Sequence, residues 1–250
     1  MTDSSLQTWL DQHGLVLSVL WDPLDRSRLL EGLGLTLGMA LTCGVASLLI
    51  GALGVAAQHS PRPWLRGLVN GYVALWRSTP LLVQLFFLYF GVGALLPLTV
   101  GEDGSPVRLL GGTGWAMIAI ALYSGAFQVE ALRAGIDAVP QGIREAAAAL
   151  GLQGPALWRH ILLPLALRNS LPALGNNLVQ TLKATSVAYA VAAPELLYAA
   201  NRIWADRFNV GEMMQVLLVT WLLLIGTCSW LLGRLEARLQ LPGREAANGR

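Results

Sequence analysis

Charge is scarce in this chain of 250 residues: Asp, Glu, Lys and Arg make up 13% of it, against 54% hydrophobic residues. That is too little polar side chain to cover a soluble globule of this length, and the mean hydropathy of +0.54 points to lipid as the solvent. Lysine is nearly missing, with Lys183 the only one. Cysteine is limited to Cys43 and Cys228, both inside apolar stretches, which excludes a disulfide framework and metal-ligand spacing. His13, His59 and His160 have no nucleophile or metal partner near them in sequence, so no catalytic constellation forms. No Gly-x-x-x-x-Gly-Lys-Ser/Thr loop is present to cradle nucleotide phosphates. Basic patches interleaved with aromatics are absent too, which argues against nucleic acid. The N-terminus lacks the ordered basic, apolar and small-residue regions of a cleaved signal peptide, so none is expected.

What is abundant is uncharged length. A helix needs about 20 residues at about 1.5 Å each to cross hydrocarbon. Residues 32–61, 78–101, 109–129 and 213–233 contain no Asp, Glu, Lys or Arg. Residues 169–194 are interrupted only by Lys183 and make a fifth expected span. Arginine is retained on the cytoplasmic side of membranes. Eleven arginines, including Arg62, Arg66, Arg77, Arg144, Arg159, Arg168, Arg234 and Arg238, fall on one side of these spans and five on the other. The expected fold is therefore all-α and membrane-embedded, with five transmembrane helices, an outer N-terminus and a cytoplasmic C-terminus.

Residues 1–28 are expected outside, 29–240 in the membrane domain and 241–250 in a cytoplasmic tail. Within 1–28, residues 6–20 suit a short surface helix with Trp9 and Trp21 at headgroup depth. Residues 64–76 read as an interfacial elbow or the first turns of the second span. Residues 101–112 form a short glycine-rich outer loop, and 194–211 a polar outer connector long enough for a partner to dock. Glycines at 32, 34, 38, 44 and 51 imply close helix packing in the first span.

The connection 133–168 is 36 residues long, too long for a simple link. Pro140 suits a helix start, Glu145-Ala-Ala-Ala-Ala-Leu150 is strongly helix-forming, and Gly151 supplies a stop. Glu145 falls in the first half of that helix, where the dipole favours an anion. A second short helix is expected from Pro155 to near Pro164, with Leu157, Trp158, Ile161 and Leu162 on its apolar face.

In this loop Glu145, Ala146, Ala147, Gly151, Ile161, Leu163 and Pro164 stand at the spacing Glu-Ala-Ala, three residues, Gly, nine residues, Ile-x-Leu-Pro. The pattern resembles the cytoplasmic loop of ABC importer permeases. Arg77-Ser-Thr-Pro-Leu-Leu-Val-Gln-Leu85 resembles a stretch of the polar amino acid permeases of that group, with Ser78 for the usual Gly. Glu130, Arg133 and Gly135-Ile136 resemble their Glu-x-x-Arg-Gly-Gly-Ile, with Ala134 replacing one Gly. Lys183-Ala-Thr-Ser186 resembles their Lys-Asp-Thr-Ser, and without the Asp no acidic role transfers to Ala184. The resemblance covers residues 25–243.

It implies the type I ABC importer permease fold in a bacterial inner membrane, and a second permease subunit as homo- or heterodimer. Two ATPase subunits that bind ATP and Mg, and an extracytoplasmic solute-binding protein that delivers an amino acid, complete the implied complex. The loop 134–168 would then couple the ATPases to the helices, and no cofactor would sit in this chain. An ion-coupled secondary transporter fits an odd span count and a folded loop poorly. A type I permease for methionine, an osmoprotectant or phosphate is the nearer alternative, opposed by the Arg77 and Lys183 stretches.

Lys183 lies about 18 Å into its span at helical rise. It serves either a substrate or gating role, or a structural ion pair or snorkelling contact. Asn176, Gln180 and Lys183 share a helix face, and with Gln84, Thr185 and Ser186 they are the expected translocation path. Gln128 and Asn177 are further amides suited to a zwitterion, although amides also bond neighbouring helices in membranes. Glu130 and Arg133, three apart, are expected to form a structural pair.

Overall fold

The computed structural model describes residues 18–100 and 105–239. Trp9, the outer residues 101–104, and Arg244 and Arg250 of the expected tail lie outside the described residues.

Helices dominate. A short α1 (Ser18–Trp21) precedes α2 (Pro23–Gln58), which begins with Pro23 and continues through an uncharged run. Pro61 and Pro63 stop that helix and start α3 (Pro63–Ser78). This amphipathic helix exposes Trp64, Leu68 and Leu75 while burying Val69 and Val73. The stretch expected as an elbow or as the first turns of the second span is thus a helix, bent by 110° from the helices that follow. After a break at Ser78-Thr79-Pro80 come α4 (Leu81–Phe86), a π-helical turn (Phe87–Val92) and α5 (Gly93–Leu95). Strands β1 (Leu98–Val100) and β2 (Pro106–Arg108) pair antiparallel with Leu98 opposite Arg108, so the end of the expected second span pairs with residues inside the expected outer loop.

The long α6 (Gly112–Asp137) leads through α7 (Gln141–Ala149), α8 (Gly154–Leu157) and a π-turn (Trp158–Leu162) into α9 (Leu163–Ala184). The second loop helix does not end near Pro164. The Leu163 N–H donates to the Trp158 carbonyl, a five-residue step, and Pro164, which has no N–H to place, enters the first turn of α9. A 3-10 stretch (Thr185–Val191) ends at Ala192 in the left-handed region. Then follow α10 (Leu196–Arg207) and α11 (Val210–Leu239). The segment expected as a polar connector is therefore mostly helix, because Leu196, Ala199, Ala200 and Ile203 recur at helical spacing and are all buried.

Among the described residues, α2, α6 and α11 are each long and apolar enough to cross a membrane, and α3 with α4–α5 makes a fourth if that broken pair counts as one span. Leu37, Leu41, Val45, Leu49 and Leu53, four apart, are exposed along one face of α2.

Packing sorts the described residues into two units. The first draws on Met1–Gly44, Thr79–Ala121 and Thr181–Gly226. One of its clusters is centred on Met39, Leu85, Ile120 and Ala188, the other on Leu196, Ile203, Met213 and Leu217. Thr36 links helix to helix here: its hydroxyl donates to the Gly32 carbonyl and accepts from the Leu196 N–H at 3.0 Å. A methyl on Gly32 would stand 2.6 Å from the Ala199 Cβ.

The second unit comprises Val45–Ser78, Leu122–Gln180 and Thr227–Arg250, with Val55, Val69, Val73, Val129, Ile136 and Ala166 at its centre. Here α2 and α6 touch almost backbone to backbone, since a methyl on Gly51 would come within 2.6 Å of the Gln128 Cβ. Gly135 does the same for α6 and α9, where a side chain would collide with the Ser170 hydroxyl and the Ala166 carbonyl. Gly34 and Gly38, by contrast, meet nothing within 4 Å.

Candidate functional site

The loop helix α7 is held at both ends. Pro140 occupies its N-cap position without a side-chain cap bond, and the Arg144 side chain donates to the Ile136 carbonyl at 3.0 Å, tying α7 to the end of α6. At its C-terminus the Leu152 N–H donates to the Ala147 carbonyl and the Gly151 N–H to the Ala148 carbonyl, the two bonds of a Schellman stop. Gly151 has φ +78°, a left-handed conformation that favours glycine, and no atom crowds it. The residue is thus required for its backbone, not for space. Ala147 is buried, while Glu145, Ala146, Ala148 and Ala149 are exposed on a thin flank. Glu145 is the fifth of nine residues, past the turn in which the dipole acts most strongly. Farther along, Ile161 is half-buried and Leu163 and Pro164 are exposed.

A second cluster lies where α3 meets α6. Arg133 donates to both carboxylate oxygens of Glu130, at 3.1 and 2.8 Å, and Arg77 donates to Glu130 from α3 at 3.1 Å. Arg77 also sits over the Phe127 ring, and Arg133 lies 3.7 Å from Asp137. Glu130 is therefore clamped by two arginines, one of them 53 residues away. The clamp borders an open cleft of about 590 Å³ that Gln58, His59, Arg66 and Asn70 also line. Sequence alone missed Arg77 as a partner, although it stands in a motif at the arginine-rich end of a span.

The residues expected along a path separate into engaged and open ones. Gln84 folds back to donate to the Thr79 carbonyl and hydroxyl. Gln128 is fully buried and accepts from Asn177 at 3.3 Å, an amide pair joining α6 and α9. Thr185 and Ser186 donate to the Leu182 and Lys183 carbonyls at 2.7 and 2.8 Å, satisfying carbonyls where α-helix gives way to 3-10 helix. Asn176, Gln180 and Lys183 are exposed on α9. Lys183 also lies in the last turn of α9, where a cation suits the dipole.

Toward the other end of α2, Arg207 of α10 donates to Asp25 at 3.0 Å and to Asp22, and Arg28 donates to Asp206 at 2.8 Å. The Leu24 N–H, and then Arg207, hold the Asp22 carboxyl below its ordinary range; the bond to Asp25 holds the Arg207 guanidinium above its own. Glu195 caps α10 by accepting from the Leu197 and Tyr198 N–H groups at 2.9 and 3.0 Å. Burial pushes its carboxyl up to about 7, against the lowering effect of those two bonds.

Apolar helices that expose leucine along their length, with ionic clusters confined to the helix ends, define an integral membrane protein. The chain belongs to the binding-protein-dependent transport system inner membrane components, whose pattern matches residues 32–240. It is 31% identical over 229 residues to the glutamine transport system permease protein GlnP of Escherichia coli (strain K12), covering 90% of this chain and 97% of that one. It is 30% identical over 185 residues to the arginine transport system permease protein ArtQ of Bacillus subtilis (strain 168), covering 74% of this chain and 80% of the relative. The crystal structure of an amino acid ABC transporter with histidines superposes with a TM-score of 0.77 at 27% identity, over 85% of this chain and 94% of the other. A methionine ABC transporter in an inward-facing conformation shares the fold at TM-score 0.67 and 20% identity, over 86% of this chain and 97% of its own. The fold is the mostly helical type I ABC permease fold.

Proposed function

We propose that this chain is the translocation subunit of an importer for polar amino acids in a bacterial inner membrane. It works with a second permease, two ATPase subunits that bind ATP and Mg, and an extracytoplasmic binding protein. The observation that carries the reading is α7: a helix started at Pro140 and closed by a bonded glycine stop, with Glu145 and a thin alanine flank exposed, held by Arg144 to the end of a long apolar helix. A rigid lever of this form transmits a push, whereas a frayed loop would absorb it. The substrate class rests on the glutamine and arginine permeases among its relatives and on the Arg77 and Lys183 stretches.

In this reading five helices span the bilayer, with α9 and the 3-10 turn after it as the fourth. Lys183 makes α9 the most polar of them. The arginine-rich ends, with α7, face the cytoplasm; the N-terminus and α10 face outside. Approach of the two ATPases moves α7, α7 moves α6 through the Arg144 contact, and the helices turn about the second permease so that a central path changes sides. The open face of Asn176, Gln180 and Lys183 meets either that path or the second subunit. Thr185, Ser186 and Gln84 act by shaping backbone. Glu130 and Arg133, with Arg77, pin α3 to α6.

Reconstitution with the ATPase and binding-protein partners, followed by a panel of amino acids, tests the substrate class. Stimulation of ATP hydrolysis by a polar amino acid and not by methionine or phosphate is expected. Stimulation by phosphate or methionine alone would overturn it.

A further inference from the structure

The cleft beside the Glu130 clamp continues into a second hollow of different chemistry. This groove, about 310 Å³, is lined by Val55, Leu132, Ile136, Trp158, Leu163 and Leu167 among others and is almost wholly apolar. His59 forms a wall of both, its Nδ1 donating to the Val55 carbonyl at 2.9 Å and its ring set edge-on to Trp158. A polar cleft and an apolar groove that share one wall fit a ligand with a polar head and a hydrocarbon chain.

The charge of the cleft sets the head. Its arginines, Arg66, Arg77 and Arg133, outnumber Glu130 and Asp137. Arg77 and Arg133 are spent on Glu130, whereas Arg66 forms no ion pair among the described residues. Gln58 donates to Asn70 at 2.9 Å but leaves its own buried side-chain oxygen without a donor. An anion at Arg66 and a hydroxyl at Gln58 would satisfy both. The helix that carries Arg66 also exposes the apolar Leu68 and Trp64, a residue type enriched at the membrane interface. Juxtamembrane arginine attracts anionic lipid there.

We propose that this paired cleft and groove is a binding site for an anionic glycerophospholipid: phosphate at Arg66, glycerol hydroxyl at Gln58, one acyl chain in the groove behind His59. The head would lie between α3 and α6 beside the clamp, and the chain between the end of α2, α6 and the start of α9. The site rests on the chain lying in a membrane and not on which solute is carried.

The test is mass spectrometry of lipid held by the full-length chain, purified from nanodiscs of equal phosphatidylglycerol and phosphatidylcholine. Wild type should retain phosphatidylglycerol at several-fold excess. Arg66→Gln should bring the ratio near one, while Arg62→Gln, a neighbouring exposed arginine outside the cleft, should leave it unchanged. Ala56→Trp, which fills the groove, should lower retention of both lipids. An equal loss in Arg62→Gln would mean diffuse surface charge and overturn the site. Full displacement by millimolar inorganic phosphate would overturn the acyl-chain part, and unchanged excess in Arg66→Gln would overturn the whole. Expulsion of the lipid when the ATPase subunits are added would show that the cleft is theirs.

Discussion

Glu130 accepts from Arg133 on its own helix and from Arg77 on α3, so losing its charge leaves two guanidinium groups facing each other beside the cleft. Both arginines are more than two-fifths exposed, which screens them and keeps each pairing modest. Glu130→Gln should nonetheless destabilise the fold by about 1–2 kcal/mol, since hydrogen bonds to charge are lost at a half-buried acceptor. A double-mutant cycle with Arg77→Ala, read by thermal unfolding in detergent, should return about 0.5–1 kcal/mol of coupling. Additive effects would remove Arg77 from the clamp. The i,i+3 contact could be read from spacing; the 53-residue contact had no local signal. Gln128 and Asn177 show the same limit, as sequence marked both as polar in a span but not as partners.

At the scale of elements, α10 and α7 illustrate opposite degrees of legibility. The stop at Gly151 and the helix before it follow from Pro140, an alanine run and a glycine, all local signals. Helix α10 is hard to see in sequence because Asn201, Arg202, Asp206 and Arg207 make the segment look solvated, while its buried residues are few: Leu196, Ala199, Ala200 and Ile203. Its cap carries a pH dependence. Burial raises Glu195 to about 7, so the folded chain holds that proton more tightly than the unfolded one. Stability from this group is full below the ordinary carboxylate range and declines as pH rises through about 7. Asp22, held low, acts in the opposite sense and only in acid, its contribution fading as pH falls through its depressed value. Between pH 5 and pH 8 the wild type should therefore lose stability, on the order of 2 kcal/mol, and Glu195→Gln should lose little. Parallel unfolding curves for the two chains at both pH values would show that Glu195 keeps an ordinary carboxyl.

For the molecule as a whole, composition and uncharged runs already pointed to a membrane-embedded helical chain, and the loop spacing to its family. What they did not foresee are the breaks in regular helix: the interruption at Ser78-Thr79-Pro80, the π-turn before Pro164 and the 3-10 turn after Lys183. Each depends on where backbone groups find partners in three dimensions. The exposed leucine stripe of α2 and the uncovered surface of α11 have no partner among the described residues, as expected of faces that meet lipid or a second permease.

If α7 passes force from the ATPases to the helices, as proposed, Gly151 is the residue on which that transmission depends most. Gly151→Trp replaces the residue at φ +78° that ends α7, at a position with open space around it. The variant should insert and fold as wild type does, at a backbone cost of about 1–2 kcal/mol. The measurement is ATP-driven, binding-protein-dependent amino acid uptake into proteoliposomes holding wild-type or variant chain with its partners. Wild type should accumulate the amino acid, and Gly151→Trp should do so at a rate at least tenfold lower with its membrane content unchanged; equal uptake by the two would contradict a force-bearing α7.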